Sequence, residues 1–140
     1  TFISYNVGKA VTYGNETKLE LFLHDMLSFS SGYTYLIARD VKTGKPLQYR
    51  PQDSFFANLN FSFQWLEWQW NYNSYSRSFY RYPSESYLSG YQLLNSTIKF
   101  STSYLDAWLR VMNIMDEQYE VTVSYPQLGR TYYFGIEGKF

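Results

Sequence analysis

Apolar and polar residues alternate along most of this chain, and in a strand a period of two separates the two faces. The run 54–65 is the clearest: Ala57, Leu59, Phe61, Phe63 and Trp65 share one face, and Asn58, Asn60, Ser62 and Gln64 the other. Trp68, Trp70 and Tyr72 alternate with Glu67, Gln69, Asn71 and Asn73 in the same way. Leu94, Ile98, Phe100 and Tyr104 alternate with Asn95, Thr97, Lys99 and Ser101, and Leu19, Leu21 and Leu23 with Lys18, Glu20 and His24. In the last strand Phe134, Ile136 and Phe140 oppose Glu137 and Lys139. Helical periodicity is nearly absent. The pattern predicts strands near 2–7, 11–26, 29–38, 53–65, 67–79, 93–104, 107–119 and 130–140.

These strands are long. Several match the roughly ten residues that cross a membrane at a tilt, against an average of about five or six in soluble proteins. From Met26 onward the connections alternate, short then long. The long ones carry turn formers: Gly44, Pro46 and Pro51, then Pro83 and Gly90, then Pro126 and Gly129. The fold class is therefore all-β, with antiparallel transmembrane β-barrel strands of the outer-membrane kind. A soluble β-sandwich also alternates. Its inner faces are apolar, whereas one face here is uniformly Asn, Ser, Thr, Gln and charge.

Composition sharpens this reading. The chain has 16 Tyr, 11 Phe and 4 Trp in 140 residues, with only 17% charged residues. That is more ring surface than a soluble core of this size accommodates. Trp65, Trp68 and Trp70 gather at one short turn, as an interfacial belt would. Lysine plus arginine and aspartate plus glutamate number 12 each, which gives nucleic acid no basic footprint. The absence of Cys excludes disulfides, thiolate metal sites and thiol nucleophiles. No leader opens the chain, and Thr1 reads as a mature or internal start.

Near the end, Asn113-Ile-Met-Asp116-Glu-Gln-Tyr119 resembles the Asn-Leu-Phe-Asp-x-x-Tyr segment of TonB-dependent outer-membrane receptors. Tyr125-Pro126-Gln-Leu-Gly129-Arg130, then Gly135 and a final Phe140, is similar to the ending of the same family. The resemblance extends upstream through Val7-Gly8-Lys9-Ala10, Tyr33-Thr34-Tyr35 and Arg50-Pro51, and is strongest after residue 93. It implies a C-terminal part of the barrel domain over 1–140, about the last eight strands of a barrel of about 22. The plug domain and the TonB box would then be absent from the chain. The family takes up scarce ligands: iron–siderophores, haem, cobalamin or glycans. The implied partners are outer-membrane lipid and lipopolysaccharide, the remaining barrel strands and plug, the TonB complex through the missing N-terminal part, and the barrel-assembly machinery. Two other readings stay open. One is a complete small barrel of about eight strands with a structural or adhesion role. The other is a soluble carbohydrate-binding β-module.

No catalytic constellation stands out, and the chain reads as a non-enzyme with no cofactor. His24 is the only His, so two-His metal ligation within the chain is impossible. Ligand contacts are expected from the long connections: Arg39, Tyr49, Arg50, Tyr80, Arg81, Tyr82, Tyr87 and Tyr91. Arginine forks and aromatic faces suit an anionic, ring-bearing or metal-chelate ligand. Glu20, His24, Asn58, Asn60, Gln69, Asn71, Asn73, Lys99 and Glu137 are expected to face the lumen. Gly129 is expected in a left-handed turn position. Asp116 and Arg130, on opposite arms of the last hairpin, are expected to pair.

Overall fold

A computed structural model describes residues 8–81 and 83–139. The expected strand at 2–7, and the side chains of Tyr82 and Phe140, lie outside these residues. The elements are β1 (Ala10–His24), β2 (Leu27–Asp40), β3 (Asp53–Phe63), β4 (Leu66–Tyr75), β5 (Ser78–Tyr80), β6 (Ser86–Leu88), β7 (Tyr91–Ser101), β8 (Leu105–Met112), β9 (Glu120–Thr122), β10 (Tyr125–Pro126) and β11 (Thr131–Gly138). Seven of them form one antiparallel sheet in the order β1-β2-β3-β4-β7-β8-β11. Two short hairpins, β5-β6 and β9-β10, stand apart from it. No described residue is helical.

Register carries the two-faced pattern across the whole sheet. Leu21, Phe29, Leu59 and Trp70 stand side by side in one apolar row. Leu27, Phe61, Trp68, Ile98, Leu109 and Phe134 make the next. Trp68 and Trp70 lie 5.3 Å apart on this face, and Trp65 stacks on Phe100 at 5.7 Å by the same short turn. The opposite face carries Glu20, Ser30, Asn58, Asn71 and Asn95 in one row.

Connections alternate in length as the pattern predicts. Residues 25–26, 64–65 and 102–104 turn at one end of the sheet, and residues 41–52, 76–90 and 113–130 connect strands at the other. Two strand ends are corrected. The predicted strand 67–79 breaks after Tyr75, and Ser78–Tyr80 joins a separate hairpin. The predicted strand 107–119 stops at Met112, because Asn113 and Asp116 both take positive φ, 52° and 55°, which takes the chain out of the extended conformation.

A single sheet has no second layer to cover its apolar face. Among the described residues Ala38 and Phe79 are the only buried hydrophobics, and both lie toward the long-connection end. Rings such as Phe22, Tyr104 and Phe134 stay more than 80% exposed. The outer edges of β1 and β11 carry no strand among the described residues.

Candidate functional site

The polar face is a ladder of amides. Asn58 donates from Nδ2 to Ser30 Oγ at 3.1 Å, and Asn71 donates to Asn58 Oδ1 at 3.0 Å. Asn60 makes a longer 3.5 Å bond to Ser28. Of the residues expected on this face, Glu20, Asn58, Asn60, Gln69, Asn71, Asn73, Lys99 and Glu137 all fall in its rows. His24 does not. The pairing shifts between Phe22 and His24, so His24 stands opposite Leu27 and leaves the row of Lys18 and Glu20. An extra residue in one strand flips every side chain beyond it.

Several aromatics also stand on the polar face, and two of them lie over a glycine. Phe56 is opposite Gly32 and Trp108 opposite Gly135. A Cβ on Gly135 would lie 2.5 Å from the indole, and one on Gly32 2.4 Å from the phenyl ring. At the short-turn end of this face, Lys139 Nζ lies 2.7 Å from Asp106, whose carboxylate also accepts the Ser101 hydroxyl.

At the opposite end, the long connections extend the wall of the sheet. Residues 41–52 run back along β2, with a bridge between Arg39 and Pro46 and a 2.9 Å bond from Leu47 N to Ala38 O. They meet β5 through a bridge between Pro51 and Ser78 and a 2.8 Å bond from Tyr49 N to Phe79 O. Charges tie the two connections together. Lys45 Nζ lies 2.6 Å from Glu85, and Arg81 Nε is 3.9 Å from the same carboxylate. Half-exposed pairs like Lys45–Glu85 are worth at most about 1 kcal/mol. The buried Asp40 accepts the Lys42 N–H at 2.8 Å. That bond first, and the nearby Arg81 as well, hold its carboxyl below the usual value.

Between these connections and the upper part of β2 lies a cavity of about 330 Å³. Arg39, Arg50, Arg77 and Tyr87 line it, with Asp53 and Phe79. Three of the residues expected to contact ligand, Arg39, Arg50 and Tyr87, thus share one cavity. Arg77 was not foreseen, because the alternation ran on past Tyr75 and put it inside a strand. Its guanidinium carbon sits 4.5 Å over the Tyr87 ring. Tyr80 is in β5 opposite Ser86. Tyr49 turns the chain at φ 56°. Tyr91 belongs elsewhere: it stacks on Tyr119 at 4.4 Å and meets Tyr75 at 5.0 Å, joining β4, β7 and the last long connection. Burial raises the Tyr119 phenol above its ordinary value.

The Asn-x-x-Asp segment is a lock on that connection. Asn113 is buried, and its side chain donates to Glu117 O at 2.9 Å and Leu128 O at 3.3 Å while accepting Glu117 N–H at 2.9 Å. Asp116 does meet Arg130, but not as an ion pair. Its Oδ1 accepts the Arg130 backbone N–H at 2.7 Å, and Arg130 Nε donates to Ile114 O at 2.9 Å. The reason for Gly129 is also corrected. Gly44 is the only described glycine with positive φ. Gly129 instead sits close against the Asp116 carboxylate: a Cβ there would lie 2.6 Å from Oδ1, which would have to move. Tyr125 and Pro126 form β10 against β9.

A model of the TonB dependent receptor-like β-barrel family matches residues 1–114. Among solved structures, the chain is similar to the ferric enterobactin receptor PfeA of Pseudomonas aeruginosa (23% identity over 94% of this chain and 22% of that chain, TM-score 0.79). It is similar to the ferripyoverdine receptor of the outer membrane of the same organism (22% identity, 91% and 19% covered, TM-score 0.75). It is also similar to the FrpB iron transporter from Neisseria meningitidis (18% identity, 91% and 23% covered, TM-score 0.71). At these identities the likeness is one of fold. The chain spans about a fifth of the length of these proteins.

Proposed function

Because the chain belongs to the TonB-dependent receptor-like β-barrel family, we propose that it is the C-terminal part of the barrel of a bacterial outer-membrane receptor. That receptor takes up a scarce ligand of the iron–siderophore, haem, cobalamin or glycan classes. The observation that carries the reading is the open sheet. Its seven strands run in sequence order, its apolar face is uncovered, and its edge strands β1 and β11 lack outer partners among the described residues. Unpaired backbone edges are not tolerated in lipid, so further strands must close the sheet.

In this reading the apolar face meets lipid, the amide ladder faces the lumen and a plug, and the long connections face outward and meet the ligand. A plug of the same chain would connect to the TonB complex, as the family implies, and the aromatic rows supply the interfacial contacts with lipid.

Two measurements test it. Cysteine pairs with one member at Leu19 or Leu21 on β1 and the other at Phe134 or Ile136 on β11, all on the apolar face of a chain without Cys, are expected to form no disulfide. A β1–β11 disulfide would establish a small closed barrel instead. Disrupting this segment in the gene for the whole receptor is expected to abolish growth on at least one of the four ligand classes at limiting supply. Unchanged growth on all four would overturn the uptake reading.

A further inference from the structure

We infer that Arg39, Arg50 and Arg77 form a binding site for a phosphate group at the long-connection end of the barrel. All three line the same cavity of about 330 Å³. None is in an ion pair among the described residues, and none donates a side-chain hydrogen bond there. Nearby acids are engaged elsewhere. Glu85 pairs with Lys45 and Arg81, and Asp40 accepts a backbone N–H and lies in the field of Arg81. Asp53 is the one acid lining the cavity, and its carboxylate accepts the Tyr33 hydroxyl.

Three guanidinium groups and one carboxylate leave an excess of two positive charges around a concave space. Like charges gathered there repel each other until a counter-anion enters. A phosphate monoester carries nearly two negative charges and three acceptor oxygens. A carboxylate neutralises only half of the excess. The guanidinium fork matches phosphate oxygens in pairs, and the Arg77 guanidinium carbon is placed 4.5 Å over the Tyr87 ring. The three side chains are exposed enough to be reached from solvent. The volume leaves room for the group that carries the phosphate.

The phosphate has two possible sources: a headgroup of the outer-leaflet lipid, or a soluble phosphorylated molecule. The site belongs to the outward end of the proposed receptor. Its test reads binding rather than uptake, so the two proposals can fail separately. The whole receptor in detergent is titrated with inorganic phosphate and followed by phosphorus NMR. By native mass spectrometry it is compared with lipid A and with lipid A stripped of its phosphates. The wild type is expected to bind inorganic phosphate. R39Q/R50Q/R77Q is expected to bind it at least tenfold more weakly with unchanged heat resistance, and R39K/R50K/R77K to retain part of the binding. If the triple glutamine variant fails to assemble, Arg50→Gln alone, in a connection, is read for a threefold loss. Preference for phosphorylated lipid A identifies the headgroup as source. Equal retention of both lipids with phosphate binding intact identifies a soluble one. Absence of phosphate binding in the wild type, or undiminished binding in the glutamine variants, overturns the site.

Discussion

Asn113→Leu is expected to release the last long connection and to lower the stability of the assembled receptor by roughly 3–5 kcal/mol. Two terms contribute. Asn113 sits at φ 52°, where asparagine is tolerated and a leucine side chain clashes with the backbone, at a cost of about 1–2 kcal/mol. Its side chain also supplies the partners of three backbone groups, Glu117 N–H, Glu117 C=O and Leu128 C=O. Leucine supplies none. Leu128 is 73% exposed, so water replaces that partner cheaply. The two groups of Glu117 are half-buried and carry most of the penalty, each near the low end of the about 1–3 kcal/mol that an unsatisfied buried group costs.

The substitutions around it separate the terms. Asn113→Gly removes the backbone strain and keeps the loss of bonds, so it is expected to cost about 2 kcal/mol. Asn113→Asp keeps the acceptor for Glu117 N–H but sets a buried carboxylate oxygen against the Glu117 and Leu128 carbonyls, so it is expected to cost at least as much as Asn113→Gly. The readouts are denaturant midpoint and protease cleavage within 113–130. Wild-type stability in all three variants would show that the lock carries no weight.

Asn113 also shows where the sequence stopped being legible. The face assignments were readable because period two is a property of the extended chain itself, and the register simply carries each row onward. The expected strand runs on past Met112 to residue 119, while the backbone has already turned at Asn113. The available signal was the residue type: Asn and Asp are the side chains that tolerate the left-handed region. Gly129 was legible as a special position but not for its reason, since the neighbour that crowds a Cβ is the Asp116 carboxylate on the other arm of the hairpin. His24 was misplaced by one extra residue at the bulge, which no local composition marks. Arg39, Arg50 and Tyr87 were recognisable as loop residues of suitable chemistry. Their meeting with Arg77 in one cavity depends on the way residues 41–52 fold back along β2 and join β5, a long-range pairing that alternation cannot express.

Leu59→Arg and Asn60→Arg are adjacent changes with the same added charge, and they are expected to differ in cost by about 2–4 kcal/mol. Leu59 stands in the apolar row between Phe29 and Trp70, near the middle of β3. If that row meets hydrocarbon, an arginine there must desolvate or drag water and headgroups inward, at about 2–4 kcal/mol near the midplane. Asn60 points to the other face, and its amide makes only the 3.5 Å bond to Ser28. If that face lines a wet interior, an arginine there is expected to change stability by less than about 1 kcal/mol. The comparison is made on the whole receptor refolded into lipid vesicles, because detergent accommodates a charge more easily than a bilayer does. In a soluble sandwich the sign would depend on which face was packed, and the amide ladder would have to be the inner or outer surface of a water-bathed sheet. Near-equal costs for the two substitutions in vesicles would therefore remove the assignment of the apolar face to lipid. A large cost at Leu59 alone would fix the orientation of every strand in the sheet, since all seven belong to one sheet whose pairings carry each row across it.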